Sequence, residues 1–298
     1  MSKIIDDLKL QYRIGGIPNK IIYWNVGLFA VPYLLNGIFS LSNINLNAFN
    51  FISLASNPAE LLWKPWSLIS YAFFHSGFFH ILFNMLIFNF SSRLFLTYFT
   101  PKQLLSLYMT GIIFSGIIYI LCYFLFPSLA NLNVTLVGAS GAIMSVFFAV
   151  ATYNPLMEIR LMFIGNVKIW HIAFVYLVLD LIQLPLENTG GHIAHLGGAL
   201  FGYLFVKQIQ NGTDITSWFA VLMDFFTNLF SSNKNSFKKI HRNPNPVNKE
   251  KTPETSGSKI VTKDKNQQQI DEILDKISKS GYDSLSKDEK EFLFKAGS

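Results

Sequence analysis

Between Gln103 and Met157 the chain carries no charged side chain. An uncharged run of that length is enough for two helices that cross a hydrocarbon core and the segment joining them. In such a medium each backbone N–H and C=O must find its partner inside the chain, so helices are the expected elements. Further apolar runs occupy about residues 21–40, 79–97, 169–184 and 192–206. With the uncharged stretch divided at Pro127 into spans at 104–126 and 140–153, six spans are expected. Composition agrees, since 51% of residues are hydrophobic and only 14% charged, with Phe the commonest aromatic. The fold class read from this pattern is an all-α, polytopic membrane protein.

Lys and Arg placement sets the orientation. Lys3, Lys9, Arg13 and Lys20 precede the first span; Arg93 and Lys102 lie between the second and third, Arg160 and Lys168 between the fourth and fifth. Many more follow Lys207, whereas the opposite side holds Lys64 alone. Both termini are therefore expected to be cytoplasmic. Most aromatics lie in the spans rather than among the basic residues, which speaks against a nucleic-acid surface as the reason for the net charge of +6. Cys122 is the one cysteine, so there is no disulfide framework. Residues 1–20 are polar and lack the apolar core and cleavage site of a secretory signal.

The fourth span is short. Proline at 155 disfavours helix at Asn154, and about fifteen residues at 1.5 Å each reach only about 22 Å. It therefore starts below the membrane surface, at Val137-Gly138-Ala139-Ser140-Gly141-Ala142. Ser140 is expected on a helix first turn, where unpaired backbone N–H groups favour negative charge. The bland alternative is a small-residue junction packed for its own sake. Two other polar groups weigh against it. His80 and Asn84, four apart, share a face of the second span; His192 and His195, three apart, share a face of the sixth. Intramembrane polar side chains are costly and face the bundle interior. Gly198 and Gly202 form a close-approach seam, and Gly141, Ser145 and Ala149 form a matching stripe. Pressed together, these stripes would put His195 beside Ser140.

His80-Ile-Leu-Phe-Asn84, Gly138-Ala139-Ser140-Gly141 and Ala194-His195-Leu196-Gly197-Gly198 with Gly202 together resemble the motifs of rhomboid-family intramembrane serine proteases, in order and in span. The resemblance covers roughly residues 21–207. It implies a six-transmembrane-helix rhomboid-like bundle that cleaves transmembrane protein substrates near the outer membrane face. It also implies Ser140 as nucleophile, His195 as general base, and an oxyanion site lined by Gly138 and Ser140 backbone with His80 and Asn84 side chains. His192 stands where relatives often have Asn, and is expected to assist at the oxyanion site. Met144 stands where many relatives carry Tyr or Phe, and Trp66-Ser67 where they often carry Trp-Arg. Asp180 is the one carboxylate in the spans; its place late in the fifth points to a Ser–His dyad rather than a triad.

No cofactor and no metal are expected. Two other readings fit the same spans: a catalytically silent rhomboid-like protein that binds membrane clients, and a six-span transporter using His80, His192 and His195 as a metal or proton relay. The intact Ser140–His195 pair speaks against the first. A missing carboxylate or cysteine ligand speaks against the second. The domain plan is a cytosolic segment at 1–20, the protease core at 21–208, an interfacial amphipathic helix at 209–232, a disordered basic linker at 233–266 and a cytosolic helical hairpin at 267–298. In the hairpin, Ile270, Ile273, Leu274 and Ile277 follow helical spacing, Gly281 ends the helix, and Ser286 to Glu289 has capping-box spacing. The partners expected are the lipid bilayer and transmembrane substrates, with a cytosolic partner for the tail. The setting expected is the bacterial plasma (inner) membrane.

Overall fold

The computed structural model describes residues 2–43, 48–162, 164–230 and 265–296. They form two compact units, residues 1–235 and 236–298. The linker expected at 233–266 falls almost wholly outside the described residues.

In chain order the first unit contains α1 (Ser2–Ile14), α2 (Gly16–Ser40), α3 (Ala48–Ile52), α4 (Ser67–Ser70), α5 (Phe78–Phe95), α6 (Pro101–Leu125), α7 (Pro127–Ala130), α8 (Ser140–Tyr153), α9 (Ile169–Gln183), α10 (Thr189–Gln210) and α11 (Ser217–Phe230). Among the described residues, α2, α5 and α6 are long and apolar enough to cross a membrane, while α8 and α9 are shorter apolar helices. The molecule is thus a mostly helical, multi-pass integral membrane protein. Two short antiparallel strand pairs qualify the all-α expectation. β1 (Leu54–Ala55) pairs with β2 (Thr135–Leu136), and β3 (Glu158–Leu161) with β4 (Gly165–Lys168). Within residues 1–20, α1 is a helix whose Ile5, Leu8, Leu10 and Ile14 are exposed.

Local sequence explains the boundaries. Pro101 follows a capping box in which the Thr100 hydroxyl accepts from Gln103 N–H and the Gln103 side chain accepts from Thr100 N–H, so α6 starts there. α8 stops at Tyr153, one residue before Asn154-Pro155, and its 14 residues reach about 21 Å. Every residue from Gly141 to Ala151 is buried, so α8 is apolar all round because it is surrounded. α5, α6, α9 and α10 enclose it, and its broadest contact is with α10.

That contact is the small-residue seam. A Cβ added at Gly198 would collide with the carbonyl of Gly141, and one at Gly202 with the carbonyl of Ser145. The two helices therefore meet backbone to backbone, which only small residues permit. A Cβ on Gly141 would lie 2.7 Å from Ser115 on α6 and 3.1 Å from the Ala194 carbonyl.

The segment from 41 to 77 is held by specific bonds in its described part. Trp66 Nε1 donates to Phe51 O (2.9 Å), Ser70 Oγ to Ile52 O (2.7 Å), and Ser67 Oγ to Lys64 O (2.7 Å). Lys64 Nζ reaches Asn50 O at 3.0 Å and Glu60 at 2.9 Å. Ser67 thus bonds locally where relatives often carry Arg. In the second unit, α12 (Lys265–Ser280) and α13 (Lys287–Ala296) form the hairpin. Gly281 turns it at φ 76°, and Ser286 and Glu289 make the expected capping box. Ile273 is buried there, whereas Leu274 is 51% exposed despite its helical spacing.

Candidate active site

A cavity of about 320 Å³ opens between α5, α8, α9 and α10. Ser140, His195, His80 and Asn84 all line it, together with Met144, Tyr176 and Asn188. Two larger clefts, of about 490 and 520 Å³, contain no histidine.

Ser140 is half-buried at the first residue of α8. The first intrahelical bond runs from Ile143 N–H to Ala139 O, so Ser140, Gly141 and Ala142 N–H have no partner within the helix. His195 projects from α10, and the contact of Gly141 with Ala194 O and Gly198 sets it on the adjoining turn. The seam is what brings residues 55 positions apart in the chain to one cavity.

Gly138 plays a different part from the one expected. Its N–H donates to Tyr71 O at 2.9 Å and is therefore not free to bind an oxyanion. Its φ of 122° suits glycine, and a Cβ there would sit 2.9 Å from both Cε1 and Nε2 of His80. Gly138 makes room for the imidazole. Ser76 N–H lies 3.4 Å from His80 Nδ1 and its hydroxyl 3.0 Å. An N–H can only donate, so His80 Nδ1 accepts and Nε2 carries the proton. That directs an N–H donor toward the Ser140 end. Asn84, buried, spends one amide hydrogen on His80 O at 2.8 Å and has the rest for the cavity.

The sharpest departure from the sequence reading is Asp180. Its Oδ1 lies 2.9 Å from His195 Nδ1 and 2.7 Å from His192 Nδ1. The carboxylate judged too far along the fifth span is hydrogen-bonded to the expected base. Depth explains this. Asp180 lies one turn before the end of α9, and the histidines lie one to two turns after the start of α10. A short reversal puts them level. His192 is corrected by the same contact: it faces Asp180 and is not among the residues lining the cavity, where Asn188 and Gly191 stand instead.

Asp180, His192 and His195 also offer three metal-ligand atoms within 4.8 Å of one another. This supplies the carboxylate that the transporter reading lacked. The spacing, however, is that of hydrogen bonds. Ligands about 2.0–2.1 Å from a tetrahedral zinc stand roughly 3.3 Å apart, wider than the 2.7 and 2.9 Å found.

His75, unnoticed in the sequence, completes the surroundings. It is fully buried, its ring meets His80 edge-on at 5.0 Å, and its Nε2 accepts from Ala139 N–H at 3.5 Å. Burial first, and the neighbouring His80 second, push it down to about 3, so it is neutral.

The family described as Rhomboid domain matches residues 62–209. A second, described as a family of unknown function (DUF6576), matches residues 261–295. Presenilin-associated rhomboid-like protein A, mitochondrial, from Danio rerio is 29% identical over 155 residues, 51% of this chain. The chain spans only 39% of that relative's length.

Proposed function

We propose that this chain, which belongs to the rhomboid family through residues 62–209, is an intramembrane serine endopeptidase. The observation that carries the reading is the convergence of Ser140, His195, His80 and Asn84 on one cavity. Ser140 Oγ attacks the scissile carbonyl carbon, its proton passes to His195 Nε2, and the carbonyl π pair moves to oxygen. The oxyanion is met by His80 Nε2–H, the Asn84 amide and the free N–H groups at the start of α8. One such donor is typically worth about 3–4 kcal/mol of barrier. Collapse breaks the C–N bond, and His195 returns its proton to the amine. Water then releases the acyl group by the same steps.

In this reading α2, α5, α6, α8, α9 and α10 are six spans, with both termini cytoplasmic and the Ser140 end outward. α8 is too short to cross alone, so Ser140 works below the surface in a cavity lined by protein. Substrates are transmembrane proteins whose helix unwinds near the outer face, and the setting is the bacterial plasma membrane. Met144, 4% exposed, packs the cavity wall where many relatives carry Tyr or Phe.

The test is labelling by a mechanism-based serine probe beside cleavage of a transmembrane reporter in liposomes. Wild type is expected to label and cleave; Ser140→Ala is expected to insert, melt normally and do neither. A folded wild type that neither labels nor cleaves would favour a silent, client-binding member.

A further inference from the structure

We propose that Asp180 is a positioning residue for His195, holding it in the tautomer that can act as a base, with His192 as a second ligand to the same carboxylate oxygen. The proposal rests on the reading of Ser140 as nucleophile and His195 as base.

An ionised carboxylate accepts hydrogen bonds and cannot donate them. Asp180 Oδ1 is 2.9 Å from His195 Nδ1, so that nitrogen carries the hydrogen. Nε2 of the neutral ring then keeps its lone pair, which is what taking the Ser140 proton requires. When the proton arrives, the imidazolium has N–H on both nitrogens, and its Nδ1–H still points at Asp180. The carboxylate remains ionised and stabilises the positive ring, without accepting the proton.

Burial strengthens the argument. Asp180 is 6% exposed on the packed side of an apolar helix, where an unpartnered carboxylate is expensive. Its two donors both come from α10, three residues apart on one face. His192 is buried and does not line the cavity, so its bond to Oδ1 serves the carboxylate and not the substrate. With His192 fixing the oxygen from one side, the carboxylate cannot swing, and the His195 ring gains a fixed direction. Two bonds to one oxygen make α9's last turn and α10's second turn a single support for the base.

The groups that bear on His195 titration are Asp180 and Tyr176 on α9, His192 on α10 itself and His80 on α5. Of these only Asp180 is an anion at neutral pH. Removing its charge makes the His195 imidazolium harder to form, so the acid limb of the cleavage profile moves to lower pH. Asp180→Asn is expected to lower kcat by about 10²-fold or more, since an amide can donate to Nδ1 and reverse the tautomer. Its acid limb should move down by about one pH unit. KM for the reporter should hold. Asp180→Glu keeps the charge and should restore part of kcat with the limb near its wild-type place.

A purely structural Asp180 would cost melting temperature and plateau rate but leave the limb unmoved, and that result overturns the proposal. So does wild-type kcat in Asp180→Asn. If Asp180→Asn does not fold, imidazole ¹⁵N spectra of the wild-type protein above the acid limb decide the matter. Protonated Nδ1 and bare Nε2 at His195 support the assignment, and the opposite tautomer refutes it. Loss of the protease reading is separately visible, because wild type itself would then fail to cleave.

Discussion

Single residues set the chemistry by what their neighbours leave them free to do. Gly138 gives its N–H to Tyr71 O and its missing side chain to His80. Gly138→Ala should therefore be strained twice, by a φ of 122° and by a Cβ 2.9 Å from the imidazole. We expect it to cost about 1–3 kcal/mol of stability and at least tenfold in cleavage, read by thermal melting and reporter turnover. His75 acts one step further back, holding Ala139 N–H just before the nucleophile. His75→Leu leaves that buried N–H without its acceptor, a loss of about 1–3 kcal/mol. Slower probe labelling of Ser140 at temperatures where the variant remains folded is the measurement that checks it. His75 drew no notice in the sequence, since one histidine in an aromatic loop has no period or motif.

At the scale of elements, the α8–α10 seam decides whether there is a site at all. Gly198 meets the Gly141 carbonyl so closely that any Cβ must push the helices apart. Overpacking of this kind costs about 1–3 kcal/mol, occasionally more. Gly198→Val should lose stability and cleavage together. Gly27, on the sparsely packed α2, has nothing within 4 Å of the position a Cβ would take, so Gly27→Val is the matched control and should melt much like wild type. Equal melting of the two variants would mean that the seam does not carry the load assigned to it. The two stripes were legible from the sequence, because Gly and Ser at steps of four mark a helix face. The hairpin of β3 and β4 was not, since its residues lie between spans and alternate only weakly in burial.

At the scale of the molecule, the chain forms two compact units. We expect truncation after Ser232 to keep cleavage of a generic transmembrane reporter in liposomes, because every proposed site residue lies in the first unit. Loss of cleavage in a well-folded truncation that still labels would assign the tail a part in substrate entry. The tail has its own pH signature. Lys276 Nζ, at 2.9 Å, together with Ser286 N–H holds the half-buried Glu289 carboxyl down at about 2, against an ordinary 4.5. A depressed carboxylate stabilises above its unfolded value and loses that contribution as pH falls from about 4.5 toward 2. Helicity of α12 and α13 should fall across that window, and Glu289→Gln should remove the pH dependence. What the sequence determined was whatever is written locally: the apolar runs, the short span ending before Pro155, the cap at Ser286, and the serine, histidine and glycine motifs. These depend on hydropathy and backbone preference within one or two turns. What only the tertiary structure decided was which group each polar atom spends its hydrogen bonds on. Asp180 joined His192 and His195 because a short reversal between α9 and α10 brings their turns level, and Gly138 lost its N–H to a carbonyl 67 residues earlier. Such pairings arise from the packing of whole helices, and no periodicity in the chain records them.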